Sequence, residues 1–201
     1  ITDQEEIDRV APIIEAVKSR FDVPISLDTY KSAVAEAGIA SGADLINDIW
    51  GLKYDPKMAG VIAKGDVACC LMHNRDNSNY TDFLTEWYDE TAECVTLAKA
   101  AGIADDKIIL DPGVGFGKTY EQNLITIKYM DKLKTLGYPL LLGTSRKSVI
   151  GLTLDTPVTD RVLGTAVTTV FAVQQGYAFV RVHDIKANKQ AIQMTKAILN
   201  A

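Results

Sequence analysis

The sequence predicts an α/β fold in which a parallel sheet is covered on both faces by helices. Three observations carry that reading. Six short, nearly all-apolar β-prone runs alternate with helical patterns; no linker, low-complexity stretch or charge block divides the chain; and 201 residues at 47% hydrophobic and 23% charged supply apolar matter for one sizeable core. The whole span 1–201 is therefore expected to form a single domain.

The elements follow in order. Thr2-Asp3-Gln4-Glu5 is an N-cap and capping-box signature, and Ile7, Val10, Ile14 and Val17 follow at helical spacing, so an amphipathic helix comes first. Pro24-Ile25-Ser26-Leu27-Asp28 reads as a strand with proline at its entry, and the Ala-rich run 32–40, with Gly42 just beyond it, reads as a helix. The alternation then repeats, with strands expected over 44–49, 67–72, 107–111, 139–144 and 178–182. Helices are expected over 56–64, 81–101, 120–136, 160–175 and 186–199. The result is six strands, each followed by a helix, behind one leading helix. An open doubly wound sheet and a (β/α)8 barrel both fit, and both place ligands at the C-terminal ends of the strands.

Composition narrows the function classes. Lys plus Arg is 21 against 26 for Asp plus Glu, a net charge of -5, which argues against a protein that tracks nucleic-acid phosphates. Cys69, Cys70 and Cys94 form no C-x-x-C pair, so neither a disulfide frame nor a zinc cage is expected, and a reducing cytosol fits best. No apolar run approaches the roughly 20 residues of a membrane span. The acidic start Ile1-Thr2-Asp3-Gln4-Glu5-Glu6 is unlike a signal peptide and lies inside a helix pattern without an initiator Met.

Every strand exits into hydrogen-bonding or charged residues. The first three end Leu27-Asp28-Thr29-Tyr30-Lys31, Ile46-Asn47-Asp48-Ile49-Trp50-Gly51 and Leu71-Met72-His73-Asn74-Arg75. The last three end Leu110-Asp111-Pro112 into a Gly-rich run, Gly143-Thr144-Ser145-Arg146-Lys147-Ser148, and Arg181-Val182-His183-Asp184. Asp28, Asn47 and Asp111 suit a flat heterocycle that presents several N–H donors, since a carboxylate accepts and an amide both accepts and donates. Singly, each Asp reads equally well as a helix cap or turn former. Lys147, Arg146, Arg181 and His183 add cations for an anionic tail, so a phosphate ester of a heterocycle would satisfy both sets. Arg146 reads equally well as a solvated cation; His183 reads as a site residue with a satisfied structural histidine as the alternative, and His73 as structural first. Met72 and Phe116 serve either as core or as apolar walls for a planar ring. The run Gly113-Val114-Gly115-Phe116-Gly117-Lys118-Thr119 fails the P-loop pattern, because Pro112 stands where the first glycine is required, and no G-x-G-x-x-G follows the first strand. Its glycines are read as permitting close backbone approach or movement over a ligand.

Taken in this order, these strand ends resemble those of the dihydropteroate synthases, a folate-pathway family, from about Thr2 to Ile198. The resemblance implies a (β/α)8 TIM barrel that joins 4-aminobenzoate to the pterin of 6-hydroxymethyl-7,8-dihydropterin diphosphate, giving 7,8-dihydropteroate and diphosphate. It implies that Asp28, Asn47, Asp111 and Lys147 grip the pterin, with Ile49, Met72 and Gly143 in contact and Arg181 on the ring face. Arg181 and His183 would meet the diphosphate, and Phe116, Lys147 and Ser148 would line the 4-aminobenzoate site. Asp28, Asp111, Lys147, Arg181 and His183 are the implied catalytic set, acting in a dissociative displacement. The family is a sulfonamide target, cytoplasmic and homodimeric. The stripe Val162, Ala166, Thr169 and Val173 is a candidate dimer face, although core packing explains it equally well.

Family members carry two further strand-loop units before the point where this chain starts, one of them holding an Asn associated with Mg2+ and the diphosphate. The chain is therefore expected to hold about six of eight units, a complete barrel typically taking about 250 residues. Mg2+ is implied by the resemblance, with no metal ligand in this chain. Two rivals stand beside this reading: the pterin-binding domain of a folate-dependent methyltransferase, and a pterin-binding fragment without turnover. The Ser145-Arg146-Lys147-Ser148 run, suited to a second anionic aromatic substrate, weighs against the methyltransferase.

Overall fold

The computed structural model describes all 201 residues, which divide into two compact units. The first comprises Ile1–His73 and Asp89–Ile109, the second Asn74–Tyr88 and Leu110–Ala201.

The first unit opens with α1 (Asp3–Lys18), where Thr2 Oγ1 accepts the Glu5 N–H and Glu5 Oε2 accepts the Thr2 N–H, closing the capping box read from the sequence. There follow β1 (Ser26–Asp28), α2 (Ser32–Ala40), β2 (Leu45–Asp48), α3 (Met58–Gly65) and β3 (Ala68–Met72). Then come α4 (Phe83–Ala100) and β4 (Ile108–Asp111), both of which the two units share. The sheet runs in the order β1-β2-β3-β4. Pairing is parallel and in step, Leu27 with Ile46 and Ile46 with Cys69, which also sets Asp28 opposite Asn47. Such apolar runs form strands here because β2, β3 and β4 are buried almost throughout. Helices on both faces of the sheet, as the sequence reading expected, do not follow, because α1, α2 and α3 pack side by side on one another. The core gathers Ile14, Leu27, Val34, Ile46, Met58, Ile62 and Cys69, all buried. Glycine at 38 lets α2 close on β1, since a Cβ there would overlap the Leu27 side chain.

The second unit holds α5 (Tyr120–Tyr129), β5 (Leu141–Leu142), α6 (Ser148–Leu154), α7 (Val162–Gln174), β6 (Phe179–Val180) and α8 (Ile185–Leu199). Leu141 pairs with Phe179 and Leu142 with Val180, both in parallel, and Leu110 bridges Leu140 in the same sense. Val114, Ile127, Met130, Leu142, Val149, Ile150 and Ala172 form its core.

Three departures from the sequence reading have local causes. The helix expected over 120–136 changes to 3₁₀ geometry at Met130. There Tyr177 Oη donates to the Met130 carbonyl at 3.1 Å, engaging an acceptor of the helical ladder. The strands expected over 139–144 and 178–182 shrink to two residues each. Beyond Leu142 the chain turns into a loop in which Thr144 hydrogen-bonds Thr168 at 2.7 Å. Finally, β5 is followed by two helices, α6 and α7, where one was expected; α6 is only seven residues long, with Gly151 inside it. The stripe Val162, Ala166, Thr169 and Val173 is buried or half-buried, so it packs inward, while Leu163, Val167 and Phe171 form the exposed apolar stripe of α7.

Candidate functional site

The strand ends carry the polar groups, as expected, and each unit organises its own set. In the first unit the in-step register of β1 and β2 brings Asp28 and Asn47 together, and Asn47 Nδ2 donates to Asp28 Oδ1 at 2.5 Å. Asn47 is buried and Asp28 exposed, so the pair presents a carboxylate to solvent from a fixed base. Asp48, next along β2, has a structural part. It is 1% exposed, and its two oxygens accept the N–H groups of Trp50 (2.9 Å) and Leu52 (2.8 Å), shaping the loop that carries half-buried Ile49. Burial pushes the Asp48 carboxyl above its usual range, against the pull of those two donors. Met72 ends β3 and is 3% exposed. His73 is fully buried with Nε2 3.0 Å from Glu90 Oε2, the structural histidine of the blander reading.

In the second unit the organising group is Asp111. Its carboxyl is buried, Oδ1 accepts the Gly113 N–H at 2.7 Å, and Oδ2 lies beside Gly143, where a Cβ would stand 3.5 Å away. Burial pushes this acid above its usual range; the charges of Lys147, Lys118 and Arg181 and the Gly113 N–H pull the other way. The Gly-rich loop is tightly specified, with Gly113, Gly115 and Gly117 all at positive φ (71°, 88° and 53°). Lys118 Nζ donates to the carbonyls of Gly113 (2.9 Å) and Phe116 (3.0 Å), and Asn123 Oδ1 accepts the Gly115 N–H. Trp87, fully buried, donates to the Pro112 carbonyl at 2.9 Å, and Tyr80 Oη donates to that of Gly117. Of the two readings offered for these glycines, close backbone approach is seen at Gly117, where a Cβ would stand 2.7 Å from the Arg75 carbonyl oxygen.

The loop after β5 presents Lys147, whose Nζ donates to the Val114 carbonyl at 2.5 Å and lies 4.6 Å from the centre of the half-buried Phe116 ring. Lys147 is the N-cap of α6 and Ser148, exposed, its first residue. After β6, the Arg181 N–H donates to the Leu142 carbonyl while its side chain stands exposed. His183 is exposed, and its N–H (3.1 Å) and Nδ1 (2.9 Å) both contact buried Ser145 Oγ. The structure thus gathers Asp111, Gly143, Phe116, Lys147, Ser148, Arg181 and His183 onto the strand-end loops of one unit, and Asp28, Asn47, Ile49 and Met72 onto those of the other. Arg146 is no free surface cation. Nε and NH2 meet the two Asp184 oxygens at 2.9 and 2.6 Å, a bidentate pair that holds Asp184 below the usual carboxylate range. Asp184, Ser145 and Arg161 have structural parts that the sequence did not assign; the Asp184 partnership was legible only as an opposite charge 38 positions away.

No group of three or more His, Cys, Asp or Glu side chains is placed to hold a metal ion, so the residues present do not fit a protein-caged metal. The three cysteines are buried thiols, with Cys69 pushed up to about 12 and Cys94 to about 11 chiefly by burial.

Residues 1–183 match the family described as pterin binding enzyme. A dihydropteroate synthase of Clostridium beijerinckii is 54% identical over 200 residues, spanning 99% of this chain and 74% of that protein. The chain belongs to the dihydropteroate synthase family. The Bacillus subtilis dihydropteroate synthase is 46% identical, over the whole of this chain and 70% of its own length. Among solved structures, the dihydropteroate synthase of Clostridium difficile, determined in the presence of pteroic acid, matches with a TM-score of 0.96 and 46% identity, covering 98% of this chain and 76% of that one. The Yersinia pestis dihydropteroate synthase with a sulfonamide drug complex matches at 0.95 and 37% identity, over 100% of this chain and 75% of that one. The fold is the (β/α)8 barrel of these dihydropteroate synthases, with six strands in this chain, and the activity is their transferase step of folate biosynthesis. The methyltransferase alternative gives way to these matches.

Proposed function

We propose that this transferase joins the amine of 4-aminobenzoate to the methylene of 6-hydroxymethyl-7,8-dihydropterin diphosphate, releasing diphosphate and forming 7,8-dihydropteroate. The observation that carries the reading is Asp111: a carboxyl buried at the end of β4, backed by a backbone N–H and facing the charge of Lys147. A buried acid is costly unless a ligand uses it, and a pterin edge offers the N–H donors it lacks. Asp28 and Asn47 would grip the ring as a ready-made acceptor–donor pair, with Ile49, Met72 and Gly143 as neighbours of the ring and Arg181 on its face. Phe116, Lys147 and Ser148 would receive 4-aminobenzoate, the ammonium meeting its carboxylate and Phe116 its ring.

The chemistry is dissociative. The C–O bond to diphosphate breaks with its electron pair leaving on the diphosphate, whose charge Arg181 and His183 offset; the methylene cation is stabilised by Asp28 and Asp111; the amine then attacks and sheds a proton to water. Mg2+ would enter as part of the substrate, most of its ligands being diphosphate oxygens and water, as is usual for this ion. The family relation and the Lys147–Phe116 pairing also support sulfonamides as competitors of 4-aminobenzoate, these drugs being aromatic amines of similar shape.

Two further readings accompany this one. No helix is long and apolar enough to cross a membrane, and with the three buried thiols this supports a cytoplasmic location. A second copy of the chain would cover the groove of about 590 Å³ between α5, α6 and α7, because Leu163, Val167 and Phe171 leave a continuous apolar stripe of α7 exposed beside Leu124 and Leu154. Sedimentation would find a dimer, and Leu163→Glu would return it to monomer.

Calorimetry with a pterin analogue tests the pocket. Binding by the wild type and its loss in Asp111→Ala is the expected result; equal binding by both would sink the assignment. Diphosphate release that depends on 4-aminobenzoate tests the reaction.

A further inference from the structure

Arg146 holds φ at +57°, a left-handed conformation that a residue with a Cβ adopts only where its surroundings impose it. Residues far along the chain hold the peptides on either side of it. Arg161, immediately before α7, sends NH1 to the carbonyls of Arg146 (3.0 Å) and Lys147 (3.3 Å), and Nε (3.2 Å) and NH2 (3.1 Å) to the carbonyl of Thr156. Thr165, one turn on, accepts the Arg146 N–H at 3.1 Å and donates to the Arg161 carbonyl at 2.8 Å. Both carbonyls flanking the Lys147 backbone are therefore anchored by one planar, permanently charged fork. Glycine at 151 makes room for it, since a Cβ there would overlap the Arg161 guanidinium.

We infer that Arg161 is a positioning residue for Lys147. It touches the loop through backbone carbonyls alone among these contacts, leaving the Lys147 ammonium to reach the Val114 carbonyl and the Phe116 face. Removing the fork keeps the ammonium and releases the peptide that aims it. A lysine at 161 does not substitute, because a single ammonium on a flexible stem cannot span three carbonyls in one plane. Gly151 belongs to the same device, which explains a glycine in the middle of an otherwise apolar helical turn. The inference rests on the reading of Lys147 as a group that contacts substrate.

The test is a double-mutant cycle on the enzyme, reading kcat/KM for 4-aminobenzoate and the melting midpoint. Arg161→Met and Gly151→Ala each lower kcat/KM by about tenfold or more, the scale of a sub-ångström to ångström misplacement at a reacting centre. In a Lys147→Met background the same two changes have little further effect, because the group they aim is gone. A loss of equal size in both backgrounds overturns the positioning role and leaves Arg161 merely structural, as does an unchanged kcat/KM in Arg161→Met. An unchanged kcat/KM in Lys147→Met alone overturns instead the reading of Lys147. If Arg161→Met fails to fold, Gly151→Ala carries the cycle, because it displaces the guanidinium while keeping its charge.

Discussion

The two units fix their strand-end groups by different means. In the first, Asp28 and Asn47 stand opposite each other on neighbouring strands and hold each other directly, so sheet register alone builds the pair. In the second, Lys147 and His183 lie beyond two-residue strands and are held by loop contacts: the Val114 carbonyl, Ser145 and, through the backbone, Arg161. A register pair survives as long as its strands do. A loop group depends on several remote residues, each of which can be lost separately, so substitutions away from the substrate groups should reduce function more readily in the second unit.

The largest contrast is expected at Asp111. Asp111→Asn keeps an acceptor for the Gly113 N–H but removes the charge, so affinity for a pterin analogue falls by about 100-fold, the scale of a lost charged hydrogen bond. The apo protein moves the other way. Burial raises the folded-state pKa of Asp111, so the folded protein binds its proton more tightly than the unfolded chain does, and stability falls as pH rises from the ordinary carboxylate range through that raised value. The Asn variant lacks this loss, so its melting midpoint at pH 7 rises above the wild type's, and the difference vanishes in acid below the ordinary carboxylate pKa. A lower midpoint at pH 7 would show that other contacts of the charged carboxylate outweigh its burial.

Glycines provide the next comparison. Gly117 has φ +53°, and a Cβ there would stand 2.7 Å from the Arg75 carbonyl oxygen and 2.8 Å from its nitrogen. Gly117→Ala therefore destabilises by about 2–3 kcal/mol, strain and backbone overlap together. Gly60, exposed inside α3 of the first unit with nothing within 4 Å of its missing Cβ, responds oppositely: Gly60→Ala stabilises by about 0.5–1 kcal/mol. Urea unfolding of both variants checks the pair of signs.

The same contrast explains what was legible in the sequence. The helix over 32–40 is found at those bounds, and strands β1 to β4 fall within their expected spans, because apolar runs between Gly, Pro and Asx punctuation report local structure directly. Asp28 and Asn47 were legible as strand-end groups, but their hydrogen bond to each other is set by the β1–β2 register, which the sequence does not state. The helix α6 is absent from the sequence reading because seven residues show too little of a helical period to stand out, and the glycine inside it is accommodated by Arg161, ten positions on and packed against it. Arg146 was left between a surface cation and a site residue because its partner, Asp184, lies on another loop. Periodicity is written locally; register and contacts between strand-end loops are not.

A double-mutant cycle on Asp28→Ala and Asn47→Ala measures what register alone provides. One amide–carboxylate hydrogen bond with an exposed carboxylate partner should give a coupling of about 1 kcal/mol in unfolding. A coupling near zero would mean that each side chain is placed by its own strand, without help from the other.

The smallest effect separates the units most cleanly, because both contain the same device. Thr2 and Thr119 each cap a helix through a complete capping box, with Glu5 and Gln122 as the returning partners. The hydrogen-bond chemistry is matched, and either Thr→Ala change should cost about 1 kcal/mol, near 2–4 °C in melting midpoint for a protein of this size. Context separates them. Thr2 caps a helix start whose Asp3 and Glu6 pair with Lys31 of the first unit, away from the Gly-rich loop. Thr119 closes the Gly-rich loop, and its carbonyl accepts from Asn123 Nδ2 at 2.8 Å while Asn123 Oδ1 holds the Gly115 N–H. Thr119→Ala is therefore expected to lose the same stability and also to weaken 4-aminobenzoate binding by a few-fold, through a Phe116 that is less firmly placed. Thr2→Ala should leave that binding unchanged; an equal effect of both variants would mean that the loop is set by its glycines and by Lys118 alone.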